Sequence, residues 1–149
     1  MPVVHLSRKV VLAIEAVTAI AIEKDRTPVS MRRLGRWLNL SPRSLERALK
    51  ALVEGGILRS EEGWTGGYHL GSPPKSITIK RIAEAIATVE TEWSASVLEQ
   101  GSGSALGQAV VRPYVEELFD RWSADLRETT VADLVEDAFH AGIIAIGVK

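Results

Sequence analysis

Four residues of the chain, Arg43, Ser44, Glu46 and Arg47, have side chains that could read the edges of base pairs. An arginine can donate two hydrogen bonds to the O6 and N7 atoms of guanine, and a glutamate can accept one from the N4 amino group of cytosine. Glu46 also stands four residues before Lys50, where the two could instead form an ion pair on a helix surface. The four residues therefore predict contacts in a DNA major groove, and both roles of Glu46 stay open.

Other cations and polar side chains could contact the sugar-phosphate backbone, which positions a protein on DNA without reading its sequence. The basic residues expected there are Arg8, Lys9, Arg32, Arg33, Arg36, Lys50 and Arg59. Ser41, Thr65 and His69 complete the predicted DNA-contacting set. Trp64 could act as an apolar wedge or stacking group at the sugar edge, or contact a partner subunit, and its neighbour Gly63 makes core packing the weaker alternative.

A helix with marked ends must position the base-reading residues. Ser41 is a favourable N-cap and Pro42 suits the first helical position, whereas Gly55 and Gly56 end the helix. Apolar residues recur between these ends at helical spacing and predict a buried face opposite the basic face. The apolar residues are Leu45, Leu49, Leu52 and Val53.

Two further helices are predicted before this one. Residues 7–23 carry apolar side chains at helical spacing, and a second helix follows the N-cap Ser30, with Leu34 facing inward and its arginines facing outward. Gly35 within the second helix indicates a close approach between helices. Because residues 39–40 leave room only for a short turn, the second and third helices form a helix-turn-helix pattern.

A β-hairpin follows the third helix. Residues 57–60 and 68–70 have the composition of short strands, and the segment 63–67 between them contains the glycines that tight turns need. A helix-turn-helix followed by a glycine-rich hairpin predicts a winged helix.

The rest of the chain predicts three more helices. Thr78 caps a helix through about residue 89, and a small, polar loop leads to a long helix over residues 105–127. Pro113 should kink the long helix or mark its true start. Apolar residues recur along this helix and form a stripe wider than one small domain easily covers. Thr130 then opens a last helix with a capping box.

Charge differs sharply between the two halves of the chain. Residues 1–81 hold 14 Lys and Arg against 7 Asp and Glu, a net charge of +7, and residues 82–149 hold 4 against 12, a net charge of −8. A basic half favours a polyanionic partner, because Lys and Arg release the counterions condensed on phosphates. A basic surface that is merely solvated is the alternative.

Several chemistries have no support in the sequence. The chain has no cysteine, which removes disulfides, thiolate catalysis and conventional iron-sulfur ligation and permits a reducing cytoplasm. His5, His69 and His140 lack metal-ligand spacing, so no metal or other cofactor is expected. No phosphate-binding glycine loop, nucleophile elbow or histidine-based triad is present, so the chain is not expected to be an enzyme. The apolar run at 10–22 is too short to span a membrane.

Together these motifs resemble the Rrf2 family of bacterial winged-helix transcription regulators, and the match covers most of the chain. The glycine-glycine-tyrosine wing, a following proline and an Ile-Thr-apolar step are fairly specific in combination. The matching residues are Leu6, Ser7 and Lys9; Pro28-Val29-Ser30 and Leu34; Ser41-Pro42, Leu45-Glu46, Leu49, Leu52, Gly56, Leu58 and Ser60; Gly63 and Gly66-Gly67-Tyr68-His69-Leu70; Pro73 or Pro74 and Ile77-Thr78-Ile79; Leu126 and Thr130-Val131-Ala132-Asp133-Leu134.

The resemblance implies a homodimer on double-stranded DNA, with the third helix in the major groove, the hairpin at the minor groove and the long helix at the dimer contact. It divides the chain into a winged helix-turn-helix DNA-binding domain at 1–89, a loop at 90–104, and a dimerisation helix with a C-terminal helix at 105–149. The residues assigned to dimerisation are Val110, Tyr114, Leu118 and Trp122.

The chain departs from the family pattern at three places. Members that sense iron-sulfur status carry three cysteines between the fourth and the long helix, where this chain has none. The last of them would fall near Ala109, and a nearby position that can be His in the family is Arg112 here. Glu61 and Glu62 stand where arginine is common in the wing. Residues 10–12 replace a Gly-Arg-Tyr-like run in the first helix.

We therefore expect a mainly α fold with a small β-hairpin, a winged helix-turn-helix plus a C-terminal dimerisation helix. The expected function is that of a cytoplasmic, sequence-specific transcription regulator, a homodimeric repressor that uses no iron-sulfur cluster. Sensing would rest on a small-molecule effector, with a pocket near Trp93 as one candidate, on a protein partner, or on nothing beyond the concentration of the protein itself. The competing hypothesis is a degenerate winged helix that binds a protein instead of DNA, which Glu61 and Glu62 favour and the basic half opposes.

Overall fold

A computed structural model of the chain describes residues 8–23, 27–90 and 104–143. The fold is mainly helical with one two-stranded antiparallel hairpin, as the sequence predicts. Its elements are α1 (Arg8–Ile22), α2 (Met31–Leu38), α3 (Pro42–Glu54), β1 (Leu58–Glu61), β2 (Gly67–Leu70), α4 (Ile79–Glu90), α5 (Arg112–Glu128) and α6 (Val131–His140). The predictions for His5, Trp93 and the cysteine-free loop at 91–103 lie outside the described residues.

One hydrophobic core joins α1, the helix-turn-helix, the hairpin and α4. The inward face predicted for α3 is confirmed, because Leu45, Leu49 and Leu52 are all buried. Both α1 and α4 contact α3, so the third helix packs against two other helices. The largest fully buried side chains are Ile20, Leu34, Leu45, Leu49, Leu52, Ile57, Leu58, Ile77, Ile82, Val17, Val29 and Val131.

The predicted helix starts are confirmed by side-chain hydrogen bonds. The hydroxyl oxygens of Ser30, Ser41 and Thr78 accept from the backbone N–H three residues further on, at 3.1, 3.4 and 3.1 Å. Thr130 and Asp133 form a capping box, in which the Thr130 N–H donates to Asp133 Oδ2 at 2.9 Å and the Asp133 N–H donates to Thr130 Oγ1 at 3.3 Å. These bonds satisfy N–H groups that have no partner within the helix, which fixes each start.

The hairpin is attached to the helical core at its second strand. Leu58 of β1 pairs with Leu70 of β2, and Val29, just before α2, exchanges two backbone hydrogen bonds of 2.8 Å with Tyr68. A Cβ atom at Gly67 would overlap the carbonyl group of Val29, so glycine is needed where the two segments cross. Backbone hydrogen bonds therefore join the wing to the segment that precedes α2.

The long helix begins with an irregular turn. A π-helical segment, Gly107–Val111, leads directly into α5, which has Pro113 in its first turn. The wider π turn suits this position, because a proline ring clashes with the carbonyl four residues before it in a regular α-helix. Both Pro113 predictions therefore hold in part: the helical path is irregular there, and regular α geometry starts beside it.

The apolar stripe of the long helix is divided between two environments. Leu126 near its C-terminal end is buried in the core, whereas Leu106, Val110 and Tyr114 near its start are exposed. No helix among the described residues is both long and apolar enough to cross a membrane.

Candidate nucleic-acid interface

The outward face of α3 carries a cationic stripe. Because Leu45, Leu49 and Leu52 turn the opposite face into the core, Arg43, Arg47 and Lys50 project from the protein at helical spacing and are all exposed. None of these three side chains is tied by an ion pair or hydrogen bond to another described residue. Three cations on one rigid helix face are therefore available to a ligand.

Glu46 lies exposed beside this stripe. Its ion pair with Lys50, one of the two roles open from the sequence, is not formed among the described residues, although the equivalent pair of Lys80 and Glu84 on α4 is formed at 3.6 Å. The carboxylate of Glu46 thus remains free to accept a hydrogen bond from outside.

A tight turn sets the angle between α2 and α3. Asn39 adopts a left-handed conformation, with φ 54° and ψ 49°, and the N–H of Leu40 donates to the carbonyl oxygen of Gly35 at 3.0 Å. A Cβ atom at Gly35 would lie 3.4 Å from the Leu40 oxygen, which is an ordinary van der Waals contact, so the close approach predicted here does not by itself require glycine. Ser41 and Ser44 at the start of α3 are exposed and hydrogen-bonded to each other at 3.0 Å. The turn therefore presents the first turn of α3 at the surface.

The arginines of α2 take two different directions. Arg32 and Arg36 are exposed as predicted, one helical turn apart. Arg33 is half-buried: its guanidinium carbon lies 4.6 Å from the centre of the Trp37 ring, and its Nη2 lies 4.0 Å from Oε2 of the buried Glu23. Arg33 therefore departs in part from the outward direction predicted for all three arginines, because its charge also faces a buried carboxylate and an aromatic ring.

The wing presents polar and aromatic groups beyond its strands. Arg59, Trp64 and Thr65 are exposed, and Trp64 is fully so, which rules out core packing for its ring. The imidazole of His69 is half-buried, with Nε2 3.4 Å from Oε1 of Glu61. One of the two wing carboxylates thus faces a side chain of its own hairpin.

Arg81 is a structural residue that the sequence reasoning missed. Its Nη2 donates to the carbonyl oxygen of Gly56 at 3.3 Å and its Nη1 donates to Oγ of Ser72 at 3.2 Å. The side chain therefore ties the end of α3 and the end of the wing to the start of α4. No local pattern distinguishes Arg81 from a surface arginine, because its partners lie 25 and 9 residues away in the chain.

The start of α1 lies beside the start of α3. Arg8 and Lys9 are exposed and line one groove together with Ser41, Arg43 and Arg47. The structure therefore brings the predicted contacts of the first helix to the same surface as the cationic stripe.

The predicted dimer residues are only partly described. Val110 and Tyr114 are each 58% exposed, and two further apolar side chains beside them, Leu106 and Val111, are 66% and 49% exposed. The side chains of Leu118 and Trp122 lie outside the described residues. An apolar surface of this kind at the start of a long helix is typical of an interaction site.

Comparison with known proteins gives a consistent picture. The model of the Rrf2 family, described as an iron-dependent transcriptional regulator, matches residues 6–137. The HTH-type transcriptional regulator IscR of Escherichia coli is 27% identical over 135 residues, which cover 89% of this chain and 81% of that protein.

Solved structures of similar proteins share the fold. IscR from T. potens aligns with a TM-score of 0.67 at 23% identity, covering 92% of this chain and 90% of its own. CymR, the global cysteine regulator of B. subtilis, aligns with a TM-score of 0.63 at 25% identity, covering 90% of this chain and 98% of its own.

Among the described residues, no side chains fit the iron of the family description. The sequence supplies no cysteine thiolate, and the described residues contain no group of three or more His, Asp or Glu side chains that could hold a metal ion. An iron-binding step has no ligand set in this part of the chain.

Proposed function

Because the chain belongs to the Rrf2 family of transcriptional regulators, we propose that it is a sequence-specific, DNA-binding regulator that acts as a homodimeric repressor in the cytoplasm without an iron-sulfur cluster. The observation that carries the proposal is the exposed stripe of Arg43, Arg47 and Lys50 on a helix whose other face is fully buried. A rigid helix with free cations at its start is the arrangement that enters a major groove. Repression needs nothing further, because a dimer bound at a promoter excludes other proteins from the same DNA.

The side chains divide into two kinds of contact. Arg43, Ser44, Glu46 and Arg47 lie in the first turns of α3 and would meet base edges, where arginine pairs with guanine and glutamate with cytosine. The remaining cations would meet phosphates and fix the docking register without specifying sequence. These phosphate contacts are Arg8, Lys9, Arg32, Arg36, Lys50 and Arg59.

A symmetric dimer would supply the second recognition helix. The exposed apolar residues at the start of the long helix, Leu106, Val110 and Tyr114, would pair with the same residues of a second copy about a two-fold axis. Two recognition helices about 34 to 36 Å apart would then read a near-palindromic site. The proposed boundaries are those of the sequence analysis: a DNA-binding domain at 1–89, and a dimerisation helix with a C-terminal helix at 105–149.

Selection from a random duplex pool, followed by fluorescence anisotropy of the best duplex at several salt concentrations, tests this function. We expect a near-palindromic motif, with an affinity that falls steeply as salt rises because phosphate-bound counterions are released. Arg43→Ala and Arg47→Ala should each cost about 1 to 3 kcal/mol of binding free energy and relax the preference at one base pair. The matched control is Arg127→Ala, an exposed arginine on α5 that should change neither quantity.

The same experiment weighs the competing function, a winged helix that binds a protein. That alternative is favoured by the fully exposed Trp64 next to the acidic pair Glu61 and Glu62, which would repel phosphates. If no motif is enriched and no duplex binds even at low salt, the DNA-binding proposal fails and the protein-binding one takes its place. Enrichment of a motif whose recognition depends on Arg43 and Arg47 rejects the alternative.

A further inference from the structure

A groove runs alongside the cationic stripe, between the start of α1 and the flank of α3. The turn between α2 and α3 lines it through Asn39, Leu40 and Ser41, and α4 lines it through Ile86. Its volume is about 540 Å³, and small-molecule sites occupy roughly 300 to 1,000 Å³. The groove is therefore large enough for a small organic ligand.

The lining of this groove has two chemically distinct parts. The floor is apolar, and its residues are Leu12, Leu40, Leu45, Ala48, Ala51 and Ile86. The rim carries four cations, Arg8, Lys9, Arg43 and Arg47. No carboxylate is among the lining residues within the described part of the chain. An apolar floor below a cationic rim matches a molecule with a hydrocarbon body and an anionic head.

We infer that this groove binds a small amphipathic carboxylate. The planar guanidinium groups of Arg43 and Arg47 can each donate two parallel hydrogen bonds to a carboxylate. A hydrocarbon body on the floor removes apolar surface from water, which is favourable in proportion to the area covered. A DNA phosphate alone would use the rim and leave the floor hydrated, so the floor is the feature that points to a ligand other than DNA.

The consequence for DNA rests on the proposed function. Arg43 and Arg47 belong both to the groove and to the stripe that would read base edges. A carboxylate held by these arginines withdraws them from the operator, so ligand and DNA exclude each other. Because coupling between two ligands is reciprocal, operator DNA must weaken carboxylate binding by the same factor. The bound carboxylate is therefore an inducer that releases the regulator from its site.

The direct test uses the full chain and decanoate as the probe, with decanol as the uncharged control of equal chain length. Isothermal titration calorimetry without DNA should show saturable binding of decanoate at one site per chain and at least tenfold weaker binding of decanol. Leu12→Trp fills the groove from α1 and should weaken decanoate binding at least tenfold. Val11→Trp places the same ring on the neighbouring, exposed position outside the groove and should leave it unchanged.

A second groove-filling variant, Ala48→Leu, covers the case in which Leu12→Trp does not fold, as judged by circular dichroism. Equal binding of decanoate and decanol, absence of binding, or binding unaffected by both groove-filling variants overturns the inference.

Competition between decanoate and operator DNA distinguishes failure of the carboxylate site from failure of DNA binding. Decanoate should release a labelled operator from the wild-type chain, and Leu12→Trp should keep the operator bound at the same decanoate concentration. If the operator binds but decanoate does not, the inference fails and the DNA-binding function stands. If decanoate binds in the groove but no duplex does, the DNA-binding function fails and the carboxylate site stands.

Discussion

At the scale of single residues, neighbouring arginines of identical chemistry have opposite roles. Arg32 is exposed on the surface that would face DNA, whereas Arg33 lies over Trp37 and beside the buried Glu23. Removing Arg33 takes away a cation from an aromatic face and from a carboxylate whose side chain is only 2% exposed. Removing Arg32 takes away nothing that another described residue needs. The surroundings of each side chain, not its type, therefore decide its contribution.

We expect Arg33→Ala to lower the free energy of unfolding by about 1 to 2 kcal/mol, the sum of the cation-aromatic and ion-pair contributions. Its partner variant, Arg32→Ala, should change stability by less than about 0.5 kcal/mol and reduce the salt dependence of operator binding by about one phosphate contact. Urea denaturation and anisotropy measure the two quantities. Equal loss of stability in both variants would contradict the assignment.

At the scale of elements, backbone pairing and one long side chain both help to hold the wing. Backbone bonds between Val29 and Tyr68 hold its second strand, and the guanidinium of Arg81 bonds to Gly56 and Ser72 at its base. The backbone bonds are independent of side chains, whereas the second attachment is a single residue. Arg81 therefore adds a side-chain attachment to the backbone pairing and to the buried Leu58, which also hold the wing.

Arg81→Met should loosen the wing without unfolding the domain. Hydrogen exchange of the β1 and β2 amides should accelerate about tenfold, because the two hydrogen bonds to Gly56 and Ser72 at the base of the wing, of roughly 0.5 to 1.5 kcal/mol each, are lost together with a third to Ser76. The matched control is Lys80→Met, which removes only the ion pair with Glu84. Unchanged exchange in Arg81→Met would show that the backbone pairing alone sets the wing.

The sequence predicts those parts of this architecture that local chemistry decides. Helix starts are predictable because a hydroxyl such as that of Ser30 or Thr78 bonds within three residues of itself. The buried face of α3 follows from leucine spacing alone. The inward turn of Arg33, the bridge made by Arg81 and the groove beside α3 depend on residues far apart in the chain, so no local pattern contains them. The base contacts proposed for Arg43 and Arg47 remain predictions.

At the scale of the whole molecule, the surface proposed to contact DNA is separate from the surface proposed to form the dimer. The cationic surface lies on α1, α2 and α3, whereas the exposed apolar residues lie at the start of the long helix. Under the proposed function, a half-site alone would meet one recognition helix and few phosphate contacts, so tight binding would require two copies. Affinity for the operator should therefore depend on protein concentration through dimer assembly.

Tyr114→Glu places a carboxylate at the proposed two-fold interface. Because the two-fold axis brings two such carboxylates into each dimer, the loss of association free energy is doubled. We expect the dimer dissociation constant to rise at least a hundredfold, since one central interface residue is typically worth about 2 kcal/mol or more. Sedimentation equilibrium measures this change, and the isolated chain should keep its circular dichroism spectrum. Gln108→Glu adds the same charge at an exposed polar position nearby and serves as the control. A dimer that survives Tyr114→Glu would place the interface elsewhere.

The two faces of α3 have a consequence for how such regulators diversify. Leu45, Leu49, Ala51 and Leu52 bury the inner face of the helix, whereas Arg43, Glu46 and Arg47 are exposed and contribute nothing to this packing. Substitutions at exposed positions of this kind typically change stability by no more than about 0.5 kcal/mol. A duplicated gene can therefore drift to a new target sequence through a few surface changes, while its descendants inherit an unaltered interior.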